Sequence, residues 1–129
     1  MGLFRLGDFT LSSGQKSRWK IDCDYLTEEV WKTLAFMSQN WRFVYKEVIP
    51  VPKGKSRSTI DNAVRFADAL KSYCDPAANS YLIVDDVYTT GKSMEDCRRA
   101  LREKVGPEPI IFGLVVFARA GSIERENLV

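Results

Sequence analysis

Histidine is missing altogether from the 129 residues. Its absence removes Ser-His-Asp and Cys-His nucleophile pairs, His-ligated metals and imidazole acid-base chemistry together. Carboxylate, hydroxyl, backbone amide and cationic groups are left to carry any chemistry. Cysteine is scarce, and Cys23, Cys74 and Cys97 are odd in number and widely spaced. That pattern suits reduced thiols in packing or surface positions, not a disulfide framework or a zinc site. No apolar run reaches the length of a membrane span, and the opening MGLFRLGDF lacks the uninterrupted apolar stretch of a signal peptide. A cytoplasmic protein without a membrane partner is expected. The formal charge is only +2, so the overall balance gives no argument for nucleic acid as a partner. Lys53, Lys55 and Arg57, and again Arg98, Arg99 and Arg102, do gather cations locally. Any anion site must therefore be local.

What is present reads as an ordinary folded domain, with 45% hydrophobic and 28% charged residues and no repeat or linker. The length fits a single domain over residues 1–129, with residues 1–26 as an arm and 27–129 as the core. Residues 3–24 mix short apolar pieces with Ser12, Ser13 and Gly14, the pattern of an extended arm with a turn near its middle. Thr27 can cap a helix in which Val30, Trp31, Leu34, Met37 and Trp41 recur at helical spacing, with Glu28 and Glu29 in its first turn. Residues 47–51 read as a short strand ending in a cationic loop. Ser58 can cap a second helix with Ile60, Ala63, Val64, Ala67 and Leu70 on one stripe, ending around Tyr73. Residues 81–84 are a continuous apolar strand followed by a loop over residues 85–91. Met94, Cys97, Leu101 and Val105 mark a third helix stopped by Gly106 and Pro107, and residues 110–117 form the last strand. Strand, helix, strand, helix, strand with short connections predicts an α/β fold with a parallel sheet and right-handed crossovers.

In open parallel sheets, ligands bind beyond the carboxyl ends of strands, where loops meet helix N-termini. The stretch YLIVDDVYTTGKSM over residues 81–94 lies there. Gly91 lets the backbone bend and approach a ligand, while amides and the hydroxyls of Thr89, Thr90 and Ser93 can surround a phosphate at the positive end of the helix. Such a cup repels carboxylates, so Asp85 and Asp86 should face elsewhere, as acceptors for two neighbouring hydroxyls such as those of a ribose. The Gly-x-x-x-x-Gly-Lys-Ser/Thr frame of a triphosphate loop is absent.

A hydrophobic strand, Asp-Asp, two residues, Thr-Thr-Gly, one residue and Ser resembles the phosphoribosyl pyrophosphate motif of type I phosphoribosyltransferases. Tyr88 departs from the usual aliphatic residue, and DDVYTTG with that tyrosine is similar to the competence-protein F branch. The resemblance implies a compact, reduced version of that fold with an N-terminal extended arm. It implies a transfer of the 5-phosphoribosyl group from phosphoribosyl pyrophosphate to an orotate-like or other pyrimidine or purine base, releasing pyrophosphate. Asp85 and Asp86 would be the catalytic pair on the ribose hydroxyls, and Val87, Tyr88, Thr89, Thr90, Gly91, Lys92 and Ser93 would complete the ribose 5-phosphate site. Pro52, Lys53, Gly54 and Lys55 stand where the superfamily has its pyrophosphate loop, with Mg2+ bound through the pyrophosphate.

The arm LGDFTLSSGQKSRWKID resembles the opening of orotate phosphoribosyltransferases, which forms a hood over the base. Lys16, Trp19 and Lys20 would be its hood residues. Arg18 replaces a usual proline, and Lys20 stands where an aromatic commonly lines the orotate pocket. The family usually inserts a strand and a long flexible loop before the motif, for which residues 74–80 leave no room. The same resemblance therefore also admits a non-catalytic binding or regulatory module that lacks the lid. Trp31 and Trp41 leave room for a homodimer.

Overall fold

The computed structural model describes residues 3–10, 16–53, 60–88 and 90–118. The arm is a hairpin of β1 (Phe4–Thr10) and β2 (Lys16–Ile21), antiparallel from Phe4 opposite Ile21 to Thr10 opposite Lys16. Its expected turn residues Ser12, Ser13 and Gly14 lie outside the described residues. A 3-10 turn at Cys23–Tyr25 then leads to α1 (Glu28–Ser38). Thr27 caps α1 as expected, its side chain accepting from the Val30 amide at 3.4 Å. The phase of the helix differs from the expected stripe. Trp31, Ala35 and Ser38 are buried, whereas Val30, Met37 and Trp41 are exposed. Trp31 packs on Phe66 and lies under the Arg65 guanidinium, so the fully buried indole sets the rotation of the helix. It is unavailable for a dimer contact; Trp41, 64% exposed, is not.

Three parallel strands form the second sheet, in the order β3 (Glu47–Pro50), β4 (Ser80–Tyr88), β5 (Ile110–Ala118). Between them run α2 (Asn62–Leu70) and α3 (Lys92–Val105). Asp61 caps α2 by accepting from the Val64 amide at 3.2 Å, so the helix starts later than a cap at Ser58 would give. Ser58 itself lies outside the described residues. Ala63, Ala67 and Leu70 are buried as expected, but Ile60 and Val64 are exposed and Phe66 takes their place on the buried stripe. The bulky Phe66, which has to be covered, rotates the buried stripe away from Val64.

The central strand is apolar on both faces. Leu82 and Val84 pack with Val48, Leu114, Trp31, Phe66 and Leu70, whereas Ile83 packs with Val51, Cys97 and Leu101. Thus α1 and α2 cover one face and α3 the other. Both crossovers step across the sheet in the same direction, so helices on opposite faces give them opposite hands. One crossover is left-handed, contrary to the expectation that both are right-handed. The twist preference acts on each unit alone. Here the need to bury both faces of β4 outweighs it.

Two polar clamps fix the layers. Arg65 donates to Glu28 at 2.9 Å, Asn62 at 3.2 Å and the Leu26 carbonyl at 2.7 Å, tying α2 to the start of α1. Arg102 donates to the carbonyls of Gly106 and Pro109 at 3.0 and 2.6 Å, closing the turn into β5. No helix among the described residues is long and apolar enough to cross a membrane.

Candidate ribose-phosphate site

The strand expected to end at Val84 continues to Tyr88, because β5 keeps pairing with it through Asp85 opposite Val115, Val87 opposite Phe117 and Tyr88 opposite Ala118. Asp85 and Asp86 therefore sit on a strand end, not in a loop. The ladder has no pairing at Asp86. There the backbone is held by side chains: Asp85 Oδ1 accepts from the Asp86 amide and Asp86 Oδ1 from the Val87 amide, both at 2.9 Å.

The two carboxyls also lie close enough to act on each other. Burial, then the Asp86 carboxyl, pushes Asp85 up to about 8, so near neutral pH it holds a proton. Asp61 at the start of α2 adds to the upward push. On the other side, the buried Cys23 thiol lies near Asp86. Burial raises that thiol far above its ordinary range, with Asp86, Asp22 and Asp24 adding to it. Cys23 stands at the foot of the hairpin, and Asn62 anchors that foot by donating to Asp24 at 2.6 Å. Neither Cys23 nor Asp61 was marked by any sequence motif. Their place depends on long-range packing of the hairpin and α2 against the end of β4.

Beyond Tyr88, Thr89 lies outside the described residues. Thr90 Oγ1 accepts from the Lys92 amide at 3.3 Å, and Gly91, with φ of +83°, leads into α3. Lys92 and Ser93 are exposed in its first turn. A helix leaves its first amides without carbonyl partners, so this turn presents donors and a positive dipole end beside the carboxyl pair. Val87 is half-buried against the α1 and α2 face, while Tyr88 turns toward α3.

The basic turn leaves the sheet beside the same strand end. The Val51 amide donates to the Val84 carbonyl at 2.8 Å, and exposed Pro52 and Lys53 follow. Lys53 donates to the Ile60 carbonyl at 2.6 Å, closing the base of the loop; Gly54 and Lys55 lie outside the described residues. Of the hood residues, Lys16 is exposed at the far end of the hairpin opposite Thr10. Trp19 and Lys20 lie in β2 opposite Leu6 and Arg5. The fold thus brings the Asp85 and Asp86 pair, the start of α3 and the exit of β3 together, with the hairpin joined to them at Cys23.

No protein-family model and no curated protein sequence matches the chain. Solved structures do. An orotate phosphoribosyltransferase from Aeropyrum pernix is similar with a TM-score of 0.68 at 23% identity, over 95% of this chain and 80% of that one. The orotate phosphoribosyltransferase of Mycobacterium tuberculosis H37Rv, solved in complex with Fe(III) dicitrate, gives 0.58 at 18% identity over 95% and 81%. Likeness at these identities speaks to architecture, and it covers hairpin and sheet alike: the chain has a type I phosphoribosyltransferase-like fold.

Proposed function

We propose that the chain binds phosphoribosyl pyrophosphate at the end of β4 and transfers its 5-phosphoribosyl group to a nitrogenous base. The observation that carries this reading is the adjacent Asp85 and Asp86 pair, their carboxylates accepting from the Asp86 and Val87 amides, set immediately before a Gly91-led helix start. Carboxylates accept hydroxyls, and a helix start with Thr90, Lys92 and Ser93 accepts an anion. One ligand that needs both within a few residues is a ribose 5-phosphate. In the transfer the bond from the anomeric carbon to pyrophosphate breaks and a bond to the base nitrogen forms, so no protein nucleophile is required. Carboxylates facing the ribose favour the positive charge that develops on it.

A magnesium ion suits these residues. Among the described residues no group of three or more acidic or thiol side chains is arranged to hold a metal, and magnesium commonly keeps its waters and takes substrate phosphates with few protein ligands. Asp85 and Asp86 would hold it or the hydroxyls beside it, and when bound it would neutralise the departing pyrophosphate. Among the described residues, Lys53 is a cation that follows β3 at the strand end where Pro50 pairs with Val84, and it would follow that group.

One observation favours a second reading, a binding or regulatory module. Only residues 74–79 join the 3-10 turn at Lys71–Tyr73 to β4, so no lid enters the site from that side. Pyrophosphate release from phosphoribosyl pyrophosphate, measured with Mg2+ and a panel of pyrimidine and purine bases, separates the two. Release with at least one base is expected of the transferase. Binding without release on any base overturns transfer and leaves the module.

A further inference from the structure

Along β4, Leu82 and Val84 face α1 and α2 while Ile83 faces α3, as alternation requires. Beyond Asp86 the order slips: Val87 packs on the α1 and α2 face, and Tyr88 turns to the α3 face, where it lines an open cavity of about 210 Å3 with Ile83, Met94 and Phe112. The slip coincides with the gap in the ladder at Asp86, where carboxylates hold the Asp86 and Val87 amides. Its consequence is that the phenol lies directly against Gly91. A Cβ at residue 91 would meet the Tyr88 hydroxyl at 2.3 Å and its ring carbon Cζ at 2.7 Å, and its three nearest atoms would all belong to Tyr88. Gly91 is restricted by its φ of +83°, and a Cβ there would also require the end of the Tyr88 side chain to shift.

We propose that Tyr88 is a positioning residue for the phosphate end of the site: its ring is a strut between β4 and the first turn of α3. The strand end is fixed by pairing with Ala118, and the ring transmits that position to Gly91. An aliphatic side chain at residue 88 would leave the ring's volume joined to the cavity and Gly91 without its neighbour on that side. Tyr88 acts through the backbone of residues 91–93 and needs no contact with the ligand. This inference rests on the proposed ribose 5-phosphate site.

The test uses the full chain, ribose 5-phosphate as the probe, and calorimetry with 31P resonances. Tyr88→Val is expected to weaken binding about tenfold and to shift the bound 31P resonance, and Tyr88→Phe to retain most of the affinity. Leu101→Ala, which removes packing from the same helix away from the loop, lowers thermal stability and leaves the bound resonance in place. In the ligand-free protein, Gly91→Ala lowers the melting temperature more in the Tyr88 background than in Tyr88→Val, because only the former keeps the 2.3 Å clash. Wild-type affinity and an unmoved resonance in Tyr88→Val overturn the strut while the site stands. An equal cost of Gly91→Ala in both backgrounds also overturns it. Failure of the unaltered chain to bind ribose 5-phosphate removes the site and, with it, the positioning role.

Discussion

Asp85 holds a proton near neutral pH in a chain that has no histidine, which makes its titration readable. A carboxyl raised to about 8 on folding is neutral in the native state where an unfolded one is charged. Its contribution to stability is complete below the ordinary carboxylate range and is lost as pH rises through about 8. Asp85→Asn, which keeps a hydrogen-bond donor toward Asp86, should therefore stabilise the protein. The gain should grow between pH 5 and 8 and level off above it, exceeding about 1 kcal/mol, the free energy of one pKa unit. Thermal melts across that range check it, and no other side chain ordinarily titrates there. Any ligand that needs Asp85 ionised must expel the proton, so affinity for phosphoribosyl pyrophosphate should rise toward pH 8, with proton uptake by the buffer. The thiols give a separate check. Burial suppresses Cys23 and Cys97, while Cys74 is only half-buried. Alkylation of the native protein at pH 8, followed by mass spectrometry, should therefore label Cys74 first.

Among the elements, α2 joins site to core most directly, since the charge on its cap Asp61 reaches Asp85 and its Phe66 packs on Trp31. Asp61→Ala removes the cap and should cost about 1 kcal/mol in denaturant unfolding at pH 5. The loss should shrink toward pH 8, because the same carboxylate pushes Asp85 up. Much of this level was legible in the sequence. All three helices, the hairpin arm and the three parallel strands follow from apolar spacing and turn residues. The errors have physical causes. The phase of α1 was set by Trp31 and Arg65, a contact 34 residues apart in the chain. The start of α2 went to Asp61, where an aspartate had been overlooked in favour of a serine. The length of β4 depended on how far β5 continued to pair.

At the scale of the molecule, the sequence marks residues 85–93 as a candidate site because their residue types would answer a chemical need at one strand end. It does not mark the rest. The link from hairpin to carboxylates runs through Cys23, which has no motif, and the opposite hands of the two crossovers appear only when both faces of β4 have to be covered. Both bear on the proposed function, since the hairpin packs near the carboxylate end of the candidate site and only residues 74–79 lead into β4. Binding of ribose and phosphate is the claim on which transfer, magnesium and the role of Tyr88 all depend. Isothermal calorimetry of phosphoribosyl pyrophosphate with Mg2+, into the unaltered chain and into Asp86→Asn, tests it most directly. Saturable one-site binding that Asp86→Asn weakens at least about tenfold is the predicted result. No binding to the unaltered chain, or equal binding to both, would contradict it.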